Sequence, residues 1–151
     1  MGKRGKKFNK KAQMQISFGV IFAIILIIVF IAFAIYGIVK FLEINQTAQI
    51  AKFKKDLQDD INEIWQESGS NEVEYYIPRK IKQVCFVNDD SENMYFVPYG
   101  FQGAFLENVD MAKTVASSTS RPKKLCIDSS NGEISMTLKR AYNEDSVTIT
   151  E

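Results

Sequence analysis

The sequence predicts an α+β fold in which a long N-terminal helix, first transmembrane and then amphipathic, packs on a small antiparallel β-sheet domain. Three features predict it. Residues 16–39 are apolar and uncharged, apolar residues then recur at helical spacing as far as Trp65, and short β-prone runs follow Gly69. We divide the 151 residues into a basic cytoplasmic tail or leader (1–12), a transmembrane helix (13–39), an amphipathic stalk helix (40–68) and a small β-rich extracytoplasmic domain (69–151).

The apolar segment is the clearest of these signals. No charged residue occurs between Lys11 and Lys40, and residues 16–39 would span about 36 Å as a helix, against roughly 30 Å for the hydrocarbon core of a bilayer. Helix is also the state in which a lone apolar segment satisfies its own backbone hydrogen bonds in lipid. Because cytoplasmic flanks carry an excess of cations, the tail predicts a cytoplasmic N-terminus and an extracytoplasmic C-terminal domain. The cations of the tail are Lys3, Arg4, Lys6, Lys7, Lys10 and Lys11.

A secretory signal peptide is an alternative interpretation of the same segment. Ala32, Phe33 and Ala34 have the small-x-small spacing of a cleavage site. Cleavage there would release a secreted domain that begins at Ile35. The apolar run continues beyond this site to Val39, which favours a retained helix.

The basic edge of the apolar segment resembles the class III signal peptides of archaeal type IV pilin-like proteins. The residues that carry the resemblance are Lys10-Lys11-Ala12-Gln13, followed at once by the hydrophobic helix. The resemblance covers about the first 40 residues and implies that a prepilin-type peptidase cuts between Ala12 and Gln13. Two positions depart from the family pattern: Ala12 where Gly is more usual, and Ser17 where bacterial-type pilins often carry an acid.

Cleavage at that junction would remove all six cations of the tail and leave a hydrophobic helix that packs against copies of itself. Gly19 and Ala23 form a small-xxx-small pair, which allows two helices to approach closely in lipid. We therefore predict the lipid bilayer, other copies of the chain and a prepilin-type peptidase as partners.

The stalk helix is predicted from apolar residues that recur at helical spacing as one stripe, with charged residues between them. The stripe comprises Ile50, Phe53, Leu57, Ile61, Ile64 and Trp65. We expect Gly69 to end the helix, because glycine readily adopts the positive φ angle found after many helices. Acidic residues crowd the last turns, which the helix dipole disfavours. Packing against the following domain must therefore hold this end.

Six β-prone runs follow, and we expect them to form one antiparallel sheet with the stalk helix laid across one face. They are 73–77, 81–87, 94–98, 124–127, 134–140 and 147–150. Asn131-Gly132 predicts a hairpin between the fourth and fifth runs, and residues 88–91 predict a second turn. Residues 103–109 fit either a strand or a short helix, and residues 116–120 fit a loop.

Cys85 and Cys126 are the two cysteines of the chain, and each lies inside a predicted strand. An extracytoplasmic location permits a disulfide between them, which we favour. Two buried free thiols are the alternative.

Composition makes several classes of function improbable. The chain has no histidine, the commonest general base and a common metal ligand, which disfavours most catalytic and zinc sites but does not exclude a carboxylate enzyme. Because the sequence shows no catalytic constellation, we predict no enzyme, no cofactor and no metal site, and a membrane-tethered enzyme is the third hypothesis. Beyond residue 12 the chain has 13 cations against 18 anions, which argues against a nucleic-acid partner. The acidic run from Asn88 to Glu92 lacks the spacing of a calcium loop and fits a solvated turn. The sequence thus favours a pilin-like structural subunit, with a non-polymerising, membrane-anchored binding domain as the alternative.

Overall fold

A computed structural model describes residues 18–116 and 123–151. The predicted processing site at Ala12 and Gln13 lies outside these residues. The elements are α1 (Phe18–Glu67), β1 (Gly69–Tyr76), β2 (Gln83–Val87), β3 (Met94–Val97), α2 (Met111–Ala116), β4 (Lys124–Asp128), β5 (Glu133–Arg140) and β6 (Thr148–Thr150). The chain forms two compact units, with the boundary between Phe41 and Leu42.

The described part of the first unit is the apolar portion of α1. Each of its residues from Phe18 to Phe41 is exposed, although most carry large hydrophobic side chains. Within the described residues, α1 is the one helix long and apolar enough to cross a membrane. The predicted apolar helix is therefore present, with its side chains exposed.

The stalk portion of α1 buries the predicted stripe. Ile50, Phe53, Leu57, Ile61 and Ile64 are all buried. Trp65 departs from the prediction, because it lies a further 100° around the helix and remains 39% exposed. Its indole Nε1 donates to the backbone oxygen of Asp145 at 2.9 Å, so it anchors the edge of the stripe by a hydrogen bond.

The helix ends at Glu67, one residue before the predicted bound at 68, and Ser68 takes the left-handed position that was predicted for Gly69. Ser68 adopts a φ of 59°, and its N–H donates to Ile64 O at 2.9 Å. This is the single-bond C-terminal motif that a left-handed residue makes after a helix. The motif requires the left-handed angle at that one position, and the chain places Ser68 there. Gly69 has a φ of 147° and begins β1.

The expectation of a single sheet is wrong, because the six strands form two antiparallel sheets of three. Their orders are β1-β5-β6 and β3-β2-β4. The predicted hairpin between the fourth and fifth runs is wrong, because β4 and β5 lie in different sheets. Its turn does form: Asn131 and Gly132 have φ angles of 56° and 88°, and Ser130 and Glu133 exchange backbone hydrogen bonds of 2.9 Å. Beyond the turn β4 pairs with β2, and β5 pairs with β1. A local turn signal thus determines the chain reversal but not the partners of the strands.

One hydrophobic core joins the stalk helix to both sheets. The Phe53 ring lies edge-on to Tyr75 of β1, with centroids 5.3 Å apart, and to Phe96 of β3 at 6.0 Å. Edge-to-face pairs at these distances are favourable beyond the burial of the rings. Phe53 is 1% exposed, so it connects the helix to each sheet at the centre of the core.

The segment from 103 to 109 forms neither of the predicted elements. Ala104 and Val109 make isolated bridges to Met94 and Val147, and the short helix α2 follows. Asp110 caps that helix, because its Oδ1 accepts the N–H of Lys113 at 2.9 Å. The loop predicted from Ala116 is wrong at its first residue, which ends α2, and residues 117–120 lie outside the described part of the chain.

Candidate functional site

The predicted helix-association residues lie on the apolar portion of α1. Gly19 and Ala23 are both exposed, and their spacing of four places them on one face of the helix. A small face of this kind is surrounded by large exposed apolar side chains such as Ile24 and Phe30. The surface is suited to contact with lipid or with a second helix.

The predicted disulfide is formed. The S–S distance between Cys85 and Cys126 is 2.02 Å, and their Cα atoms are 4.0 Å apart. The two residues are directly opposite each other on β2 and β4. With a sequence separation of 41, the chain-entropy relation gives a stabilisation of about 4 kcal/mol. The bond therefore stabilises the sheet against which the stalk helix packs.

A cleft of about 820 Å³ opens in the second unit between the stalk helix and the end of β1. Asn45, Gln46 and Gln49 of the helix line one wall, and Glu74 and Tyr76 of β1 line the other. The remaining lining residues include charged side chains of both signs, the apolar Leu42 and Phe53, and the β4–β5 turn: Lys52, Asp56, Tyr75, Ile77, Pro78, Arg79, Lys80, Asn131, Gly132 and Glu133. This volume lies in the range of small-ligand pockets, but the lining is more polar than is usual for them.

The charges of the cleft differ in whether they are paired. Lys52 and Asp56 form an ion pair of 3.0 Å one turn apart on the helix. Glu74, Arg79 and Lys80 form no ion pair with any residue that the structure describes. Glu133 of β5 also lines the cleft and forms no ion pair with a described residue. The cleft therefore offers two unpaired acids, one on β1 and one on β5, and two unpaired cations just past the end of β1.

A short hydrogen bond joins Tyr75, which lines the cleft, to the stalk helix. The Tyr75 hydroxyl donates to Asp60 Oδ2 at 2.5 Å. Burial, followed by this bond and the Asp60 charge, raises the pKa of Tyr75 well above its ordinary value. The bond ties β1 to the stalk helix and keeps Tyr75 neutral.

Two side-chain amides hold the irregular segment near residue 106, and neither contact was predicted from the sequence. The Asn93 amide donates to Leu106 O at 2.9 Å and accepts Leu106 N–H at 2.7 Å. Gln58 makes the same pair of bonds to Glu107, at 3.3 and 2.9 Å. Each amide thus satisfies both backbone groups of one residue, as a neighbouring strand would. The sequence shows only that Asn93 directly precedes a β-prone run; its burial, at 3% exposed, is a property of the structure.

The acidic run at residues 88–92 forms the predicted turn. Asp89 Oδ1 accepts the Ser91 hydroxyl at 2.5 Å and the Ser91 N–H at 2.8 Å, and these bonds lower the pKa of Asp89. Among the described residues, no group of three or more Cys, Asp or Glu side chains is placed to hold a metal ion.

The comparisons with known proteins give no family. No protein-family model, no curated protein and no solved structure matches this chain. Three features of the chain bear on its function: the exposed apolar helix, the junction at Ala12 and Gln13, and the cleft.

Proposed function

We propose that this protein is a pilin-like structural subunit of the cell membrane that assembles through its hydrophobic N-terminal helix. The observation that carries the proposal is the complete exposure of residues 18–41. Transfer of large apolar side chains from water is favourable by about 1.5–3 kcal/mol each, so a surface of this size requires cover. The bilayer provides that cover before assembly, and neighbouring copies provide it afterwards.

The basic tail supports the proposed assembly. Removal of residues 1–12 by a prepilin-type peptidase would leave an N-terminus at Gln13, without the cations that fix the orientation. In this proposal the N-terminus is cytoplasmic in the precursor, and the disulfide-bonded domain is extracytoplasmic.

The first experiment determines the N-terminus of the protein purified from native membranes, by intact mass and N-terminal sequencing. We expect Gln13. An Ala12→Leu variant should retain the tail, because a large side chain replaces the small residue at the cut. A wild-type start at Met1 or Gly2 would refute processing, and a start at Ile35 would indicate a secreted domain.

The second experiment tests self-association through the small face of the helix. Ala23→Leu adds bulk beside Gly19 and should weaken cross-linking between copies in membranes. Ala32→Leu makes the same change about 180° around the helix and serves as the matched control. Equal cross-linking in both variants would contradict association through this face.

A binding role is the second candidate, and the polar cleft is the observation that favours it. In that role the chain keeps its tail, remains in the bilayer as a single-pass protein and contacts a partner through the extracytoplasmic domain. Retention of the tail, together with no cross-linking between copies, would favour this candidate.

A further inference from the structure

The fold covers part of the outer edge of two of its strands. Beside β3, Met94 and Ala104 exchange backbone hydrogen bonds of 2.9 and 3.0 Å. Beside β6, Val147 N–H donates to Asn108 O at 2.8 Å, and Ile149 N–H donates to Thr114 Oγ1 at 3.1 Å. Covering an edge in this way prevents other strands from adding to it.

The outer edge of β1 is different. This strand has eight residues, Gly69–Tyr76, and pairs with β5 alone among the described strands. The Ile77 N–H continues the ladder by donating to Gly132 O at 2.8 Å. Because the backbone groups of successive residues alternate in direction, those of Glu72, Glu74 and Tyr76 point away from β5. No described backbone group pairs with them, so they form an open edge.

The cleft provides space beside this edge. Glu74 and Tyr76 line one wall, and the amides of Asn45, Gln46 and Gln49 line the opposite wall. An added strand would lie roughly 4.8 Å from β1, on the side toward which the backbone groups of Glu74 and Tyr76 point. Elsewhere in this protein, the Gln58 amide already binds both backbone groups of Glu107. The helix therefore presents to the cleft a side-chain type that it uses to hold an extended segment.

The charge beside the edge selects the partner. Glu72 and Glu74 lie on the same face of β1, because side chains alternate along a strand. Glu133 is directly opposite Tyr76 on β5, and β1 carries no lysine to guard its edge. We propose that the open edge of β1 binds an extended segment of a partner protein, with lysine or arginine side chains beside Glu72 and Glu74. This binding site goes beyond the proposed assembly and does not depend on it.

Arg79 and Lys80 set a limit on the register of the partner. Both line the cleft past the end of β1, where they repel cations. The cationic residues of the partner therefore lie next to β1 and stop before Ile77.

The experiment measures fluorescence anisotropy of labelled eight-residue peptides with the full chain in detergent micelles. One peptide alternates lysine with threonine, and its matched control alternates glutamate with threonine. We expect the lysine peptide to bind and the glutamate peptide not to bind. Equal binding of the two peptides, or no binding of the lysine peptide, would refute the proposal.

Two variants at one position separate charge from backbone pairing. Glu74→Gln removes the charge and should weaken binding of the lysine peptide roughly 2–5-fold. Glu74→Pro also removes the outward N–H and should weaken it roughly tenfold more. The ladder to β5 does not use that N–H, so proline at this edge position leaves it intact. Glu107→Gln, at an exposed acid away from the cleft, should leave binding unchanged.

A modified peptide tests backbone pairing with the wild-type chain. This result does not depend on whether the proline variant folds. A lysine peptide that is N-methylated at alternate residues loses donors on one edge and should bind at least tenfold more weakly to the wild-type chain. If the N-methylated peptide binds as tightly as its parent, or if the Gln and Pro variants bind the parent equally, the attraction is purely electrostatic and strand addition is refuted.

Discussion

Arg140→Ala should release the C-terminal end of the stalk helix. The guanidinium Nη1 donates to Trp65 O in the last turn and to Ser68 Oγ at 3.1 Å. Its Nε donates to Glu144 O at 2.8 Å. A cation here also offsets the dipole of a helix with no basic residue in its last turn. The guanidinium therefore provides the support that the acidic sequence of this end requires.

The expected cost is about 2–3 kcal/mol in the free energy of unfolding. A hydrogen bond to a charged group contributes roughly 1.5–3 kcal/mol, and the dipole term adds about 0.3–1 kcal/mol. The expected cost is smaller than the sum of three such hydrogen bonds, because Arg140 is half-buried and water replaces some of the hydrogen bonds that the guanidinium made.

The assay is urea unfolding of the full chain in detergent micelles, followed by the fluorescence of Trp65, the one tryptophan of the chain. Hydrogen exchange of the amides from Ile61 to Glu67 gives the local reading, and protection there should fall more than in β5. Lys139→Ala removes an exposed cation from the same strand and should cost less than about 0.5 kcal/mol. If the two variants lose the same stability, or if the last helical turn keeps its protection, the capping argument is wrong.

Three further perturbations test the core, the tyrosine and the disulfide. Phe53→Ala should cost about 3–5 kcal/mol, since it empties the junction of the helix with both sheets, and Phe53→Leu should cost less than half of that in the same urea assay. Tyr75→Phe should lose about 1–2 kcal/mol at pH 7 with the bond to Asp60. Because the folded-state pKa of Tyr75 is raised, the unfolded chain loses this proton first above about pH 10, so the wild type should destabilise with rising pH more steeply than Tyr75→Phe in alkaline unfolding. Replacement of Cys85 and Cys126 by Ala should cost about 4 kcal/mol, and a reductant should then lower the stability of the wild type but not of the variant.

Local sequence patterns predicted most of the elements. The stripe from Ile50 to Ile64 follows directly from the helical period, and the six β-prone runs coincide with the six strands to within a few residues. The disulfide was also predictable, because Cys85 and Cys126 are the two cysteines of the chain and an extracytoplasmic location permits a bond between them. In each case the information lies within one segment or in one pair of residues.

The division into two sheets was not predictable, because it depends on contacts between distant segments. β1 pairs with β5 across 57 to 71 residues, and nothing local in Glu133–Arg140 distinguishes that partner from β4. The same holds for the amides of Gln58 and Asn93, whose bonds go to a segment with no regular structure. The cap supplied by Arg140 was not predictable for the same reason, since 75 residues separate Arg140 from Trp65.

The tail and the apolar helix are energetically linked in the assembly proposal. Moving one Lys or Arg to the centre of a bilayer costs roughly 2.5–3.5 kcal/mol on the translocon scale, so six cations together impose a barrier on the order of 15–20 kcal/mol to withdrawal of the helix through the membrane. After a cut following Ala12, the first charged side chain is Lys40, and the barrier falls to that of the single α-amino group of Gln13. Cleavage would therefore convert a fixed membrane anchor into a helix that can leave the bilayer whenever other copies cover its exposed side chains.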